Sequence, residues 1–356
     1  MTKFKIGTLS LAAAFLLVLP LSAIPTPLID GQQILQERLT LYRQAFPDIR
    51  FIHAIGGNNW QQEYAHIAWL LGKQPDALDY EHPPEISDDL MIVTMHRLAL
   101  MLRENAISET LFRADKRSSL KGSLVCVITI DPDQIVGNPL SATSYMLGLP
   151  DTTIAKIHPD RRLDPRDFLL FAIDHEAYHC LDSVFFGGAP MTAKIYGGEY
   201  NQYQREISAD AFSLAMHRRL AERPSSFTRN IMLVRSLWFL DGGPSYRTYP
   251  SLAEVQSTPL DELKSMTMNE LVKFADSVRN KTSEGYKDFL DHQAVALQAA
   301  EKLGFNPKDY GPPWSDLAKR KTRSQQVNDA AKYYLDLYGR LFDDAPISFS
   351  FSQSTH

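Results

Sequence analysis

Two histidines stand four residues apart in "DHEAYHCLD", at His175 and His179, with Glu176 beside the first. In an α-helix, residues at i and i+4 point to the same face, one above the other. Two imidazoles placed in this way can meet a single Zn²⁺, each at about 2.0–2.1 Å. Glu176, one residue on, reaches a zinc-bound water without itself binding the ion, which is the position of a general base. Such a set is suited to hydrolysis: the ion polarises a carbonyl and acidifies water, and the glutamate takes the proton. Two histidines and a glutamate on one buried face also cost free energy unless something pairs with them.

The flanking residues predict a helix able to carry this motif. "FLLFAIDHEAYHCLDSVFFGG", Phe168 to Gly188, is apolar nearly throughout, as in a buried helix. Before it, Asp164 can cap, Pro165 suits the first helical position and Asp167 falls in the first turn. After it, the glycine pair ends the helix. A third metal ligand must come from elsewhere. The next long helical stretch, "GGEYNQYQREISADAFSLAMHRRLAERP", presents Glu206 and, four residues on, Asp210 on one face. Read alone, "REISADAF" is an ordinary solvated helix face.

H-E-x-x-H followed by E-x-x-x-D on a second helix resembles the gluzincin branch of the zinc metallopeptidases. The resemblance spans residues 164–213. It implies that His175, His179 and Glu206 bind zinc and that Glu176 polarises the water. Asp210 would then hold the far ring nitrogen of one histidine, fixing its tautomer and orientation. Asp210 as the ligand, with Glu206 outside, stays open, since a carboxylate of either length binds zinc. The longer metzincin motif is absent: Asp182 stands where its glycine would be, and Phe185 where its third histidine would be.

Other polar residues are candidates of lower rank. Tyr246, Arg247 and Tyr249 in "DGGPSYRTYPS" could hydrogen-bond a developing oxyanion, or simply pack in a turn. His217 shares the face of Glu206 but lies three turns on, too far for one ion at about 1.5 Å per residue. Cys180 adjoins His179 but points about 100° around the helix, which makes it a poor fourth ligand. The two cysteines, Cys126 and Cys180, either pair or serve as small buried hydrophobes.

These residues must be positioned by the rest of the chain. Gln32–Ala45 reads as an amphipathic helix with Leu35, Leu39 and Tyr42 on one face. "FIHAIGGNNW" ends in a turn, and a helix follows through Ala65 to Leu71. "DALDYEHPPEIS" is a loop; beyond it Asp88 and Asp89 open a long helix through "LMIVTMHRLALMLRENAI". "SLVCVITIDPD" is the clearest strand, at Leu124–Ile130. That strand either offers an edge to extended substrate or is a plain core strand. Residues 137–160 read as loop, and the sequence beyond Pro250 is helical in period.

The fold class expected is α+β and mostly helical: a zincin-like core with a small sheet and two ligand-bearing helices, plus a helical C-terminal region. "MTKFKIGTLSLAAAFLLVLPLSA" has the outline of a secretory signal peptide cleaved after Ala23. Its apolar run falls short of the roughly 20 residues that a membrane span needs, although an uncleaved anchor is the alternative. The organisation expected is therefore a signal peptide (1–23), a catalytic domain (24–255), a helical region (256–345) and a tail (346–356). Net charge is −5, with acids and bases interspersed and no basic stripe for nucleic acid. The functional expectation is an exported, periplasmic or secreted, zinc metallopeptidase acting on protein or peptide. Its rivals are a zinc hydrolase of some other amide and a non-catalytic, zinc-stabilised binding protein.

Overall fold

The computed structural model describes residues 30–73, 90–187, 198–221, 225–237, 246–283 and 339–341. Three strands lie among twelve helices over these residues. The strands are β1 (Ile49–Ala54), β2 (Ser108–Arg113) and β3 (Leu124–Thr129), in sheet order β1-β3-β2. β1 runs parallel to β3 and β2 antiparallel to it, with Ile49 opposite Leu124 and Ser108 opposite Thr129. The α+β, mostly helical class holds.

The continuous apolar run of β3 is explained by its central place. Cys126 and Ile128 point into the larger core, while Val125 and Val127 point into a smaller one on the other face. A strand covered on both faces needs apolar residues at every position, so it reads as a run and not as an alternation. The smaller core is closed by α2 (Trp60–Leu71) and α3 (Leu90–Glu104), through Tyr64, Ile67, Leu98 and Leu102. The larger one lies beneath α1 (Gly31–Ala45), where Leu35 and Leu39 are fully buried. Each such leucine stabilises by about 1.5–3 kcal/mol through burial alone. Because β3 is central it has no free edge. The edges among the described residues are β1 and β2, so the edge role weighed for Leu124–Ile130 falls away.

β2 itself escaped the sequence reading, because Ser108, Glu109 and Thr110 are buried polar residues that mask the alternation of a strand. The helix before it is also shorter than the apolar stripe suggests. It ends at Glu104, where Asn105 turns the chain at φ +51°. Residues 137–160 are not loop as expected. They contain α5 (Ser141–Leu147) and α6 (Asp151–Ile154), following α4 (Pro132–Gly137). These helices are too short to show a period; burial of Ala142, Met146, Leu147 and Ile154 holds them. The loop at 76–87 and the helix-opening Asp88 and Asp89 lie outside the described residues, as do residues 1–29.

Two long helices dominate the larger core, α7 (Pro165–Phe185) and α8 (Gly198–Leu220). α7 begins as expected: the Asp164 carboxylate accepts from Asp167 N–H at 3.0 Å, and Pro165 is the first helical residue. It ends just before Gly187, whose φ of +65° suits glycine. Cys126 and Cys180 form a disulfide that ties β3 to α7, with Cα atoms 6.0 Å apart. Next come α9 (Phe227–Leu237), α10 (Tyr249–Ser257), α11 (Leu260–Ser265) and α12 (Met268–Ser283). α12 packs on α8, and its Leu271, Val272, Ala275 and Val278 belong to the same core as α7. No helix among the described residues is long and apolar enough to cross a membrane.

Candidate metal centre

α7 is apolar nearly all round and buried along most of its length, so its polar residues have no solvent to turn to. Asp174, His175, Glu176, His179 and Asp182 are all buried. α8 crosses it closely, with the Phe212 ring 5.1 Å from that of Tyr178. The crossing carries Glu206 to the histidines. His175 Nε2 and His179 Nε2 are 3.1 Å apart. Glu206 Oε2 lies 3.1 Å from His175 Nε2, and its Oε1 3.8 Å from His179 Nε2. Donors around a tetrahedral ion, each at about 2.0–2.1 Å, stand about 3.3 Å from one another. The three side chains therefore stand close to the spacing of a ligand set.

Asp210, one turn further along α8, sits behind His175. Its Oδ1 accepts from His175 Nδ1 at 2.7 Å. It also accepts from Arg235 on α9 at 2.7 Å and from the Thr248 hydroxyl. Both its oxygens are thus engaged away from the convergence point. With Nδ1 of His175 donating to Asp210, Nε2 is the nitrogen whose lone pair would face a bound ion once the ring gives up its second proton.

The buried charges of the site depend on one another. Burial disfavours the charged form of His175, yet hydrogen bonds to Asp210 and Glu206 outweigh it and raise its pKa to about 10. The Glu206 carboxyl is raised by burial, but the hydrogen bond of His175 and the neighbouring positive charges bring it below its ordinary value. Asp210 is lowered in the same way, chiefly by Arg235 against the effect of burial. Burial holds His179 well below the usual imidazole range, so that ring is neutral. In the metal-free chain the charged His175 and Arg235 balance Glu206 and Asp210. A divalent ion at the convergence would take the place of the His175 proton, and two nitrogens and one oxygen would leave a position open. These buried His and Glu side chains can hold a metal ion.

Glu176 faces a cavity of about 570 Å³ that is lined also by both histidines and Glu206. Burial raises its carboxyl well above the usual range, and the neighbouring carboxyl of Glu109 on β2 adds to this against the opposing charge of His175. Glu109, Glu176 and His179 have ligand atoms within 4.8 Å of one another. Arg97 on α3 and Arg205 on α8 lie beside Glu109, and Arg279 on α12 pairs with Asp182 at 2.9 Å. Sequence reading missed Glu109, Arg97, Arg205, Arg235 and Thr248. No spacing rule could have found them: Arg205 adjoins Glu206, but its partner Glu109 and the other three come from separate parts of the chain.

Of the oxyanion candidates, Tyr246 lines the cavity, where its hydroxyl accepts from Gln202 Nε2 at 3.2 Å. The nearby charge of Glu206, with burial, raises its pKa. Tyr249 belongs to the apolar core, and Arg247 is buried away from the cavity lining. His217 is also remote: its Nε2 is 3.3 Å from Ser225 Oγ, and its ring lies 4.6 Å from that of Phe227. Compared with protein-family models, curated proteins and solved structures, the chain matches none.

Proposed function

We propose that the protein is an exported zinc metallopeptidase, with His175, His179 and Glu206 as ligands and Glu176 as general base. The observation that carries this reading is the convergence of two Nε2 atoms and one carboxylate beside an open cavity. When bound, Zn²⁺ polarises the scissile carbonyl and lowers the pKa of a water. Glu176 accepts the proton of the attacking water and passes it to the leaving amine. Tyr246 donates its O–H to the oxygen on which negative charge develops. Asp210 keeps His175 in the tautomer that presents Nε2, and Arg235 and Thr248 keep Asp210 in place. β2, an edge strand whose Ser108 and Glu109 reach the cavity, offers backbone groups to an extended peptide. The Cys126–Cys180 disulfide supports the exported reading, since such bonds persist in oxidising compartments.

The test is Glu176→Gln in the full mature chain. The variant keeps about one zinc per chain, because Glu176 is not a ligand. Its hydrolysis of a peptide library falls by about 10²–10⁴-fold, the range of general-base help. Undiminished cleavage by the variant would overturn the base assignment. Zinc bound to a wild type that cleaves no peptide would leave the binding-protein or other-amide readings standing instead.

A further inference from the structure

Two arginines from separate helices reach one carboxylate in the cavity. Arg97 Nη2 lies 3.6 Å, and Arg205 Nη2 3.5 Å, from Glu109. Both arginine side chains are about four-fifths buried, at 19% exposure, and both line the cavity. One carboxylate cannot neutralise two guanidiniums. Both contacts are also long for a charge-assisted hydrogen bond, which closes to about 2.7–2.9 Å when fully made. Each guanidinium carries five N–H donors in a rigid planar fork. Among the described residues, Glu109 is the ion-pair partner of both. Glu109 uses few of those donors, and both arginines border the cavity.

The arginine pair lies close to the metal centre. A carboxylate oxygen of Glu109 is within 4.8 Å of a His179 ring nitrogen, and the guanidiniums stand one contact beyond it. An extended peptide advances about 3.3–3.6 Å per residue, so a group held by the arginines falls within a residue or two of the scissile carbonyl. The anionic group of peptides that matches a planar fork is a carboxylate, which two arginines can hold by paired N–H···O bonds. Glu109 holds the two like charges together before substrate arrives.

We propose that Arg97 and Arg205 form a subsite for a carboxylate of the substrate, either its C-terminus or an Asp or Glu side chain near the cleaved bond. This rests on the hydrolase reading above and adds a substrate class to it.

Two measurements test it. Cleavage by the zinc-loaded full chain is compared on peptides that end in a free carboxylate or an amide, and on peptides carrying internal Glu or Gln. The wild type should favour the acid of one pair, which tells terminus from side chain. In Arg97→Met and Arg205→Met that acid-to-neutral ratio should fall about tenfold or more, as loss of a hydrogen bond to a charged group implies. Arg205→Lys should restore part of it, which controls for misfolding. An absent preference in the wild type, or equal losses on both members of each pair, would overturn the subsite.

The second measurement needs no turnover. Zinc-loaded Glu176→Gln chain is titrated calorimetrically with an N-acetylated dipeptide in acid and amide forms, with and without the arginine substitutions. Tighter binding of the acid that depends on the arginines supports the subsite even if no peptide is cleaved. Acid binding that ignores the substitutions places the carboxylate on the metal and overturns it.

Discussion

Asp210 accepts three hydrogen bonds on two oxygens, and this separates its role from that of Glu206 four residues away. An asparagine there would lose one acceptor and meet Arg235 or His175 with an N–H group. Asp210→Asn should therefore weaken zinc binding by about 10–100-fold without abolishing it. Glu206→Gln should strip the metal, because a neutral amide replaces a charged ligand. Chelator-competition titrations distinguish the two, and a reversed ranking would exchange their roles. His175 supplies a second prediction at this scale, for the metal-free chain. Its folded pKa of about 10 lies above its ordinary value of 6.5. The stabilisation from its charged form is then full below pH 6.5 and is lost as pH rises through about 10. Denaturant unfolding of metal-free wild type and His175→Gln should show a stability difference that shrinks over that window. A gap that widens with pH would mean that the ring is neutral when folded.

α7 is held from both sides. From α1, Arg38 and Tyr42 donate to Asp174 at 2.7 and 2.6 Å, one residue before the first histidine. From β3, Cys126 bonds to Cys180, one residue after the second. The disulfide closes a segment of 54 residues, for which chain entropy gives about 4 kcal/mol of stabilisation. The double variant Cys126→Ala, Cys180→Ala should lose close to that much in equilibrium unfolding. Wild type and variant should then become alike in reducing denaturant. Equal stability under oxidising conditions would show that the bridge constrains little of the unfolded chain.

At the scale of the whole molecule, α11 and α12 belong to the larger core. Leu263, Leu271, Val272 and Ala275 are fully buried in the same cluster as Ile173 and Ala177 of α7, and Arg279 reaches Asp182. A fragment ending at residue 255 would leave that apolar surface open, at about 2–5 kcal/mol for each large side chain lost. It should show no cooperative unfolding transition and no stoichiometric zinc. A fragment that unfolds cooperatively with zinc bound would make residues 256–345 a dispensable addition.

The helix entries and the pairing of motif with helix were legible in the sequence because they are local. Asp164 and Pro165 act within one turn, and His175 and His179 share a face through helical periodicity alone. So does the placing of Glu206 and Asp210 on one face of the next helix. Which of those two carboxylates faces the histidines depends on how α7 and α8 cross, and that is set by packing such as that of Phe212 on Tyr178. Tertiary structure alone paired Cys126 with Cys180, chose Tyr246 to line the cavity over Arg247 and Tyr249, and brought Arg97, Glu109 and Arg205 together. Their approach is governed by contacts between residues far apart in the chain, and no periodicity within a single element records such contacts.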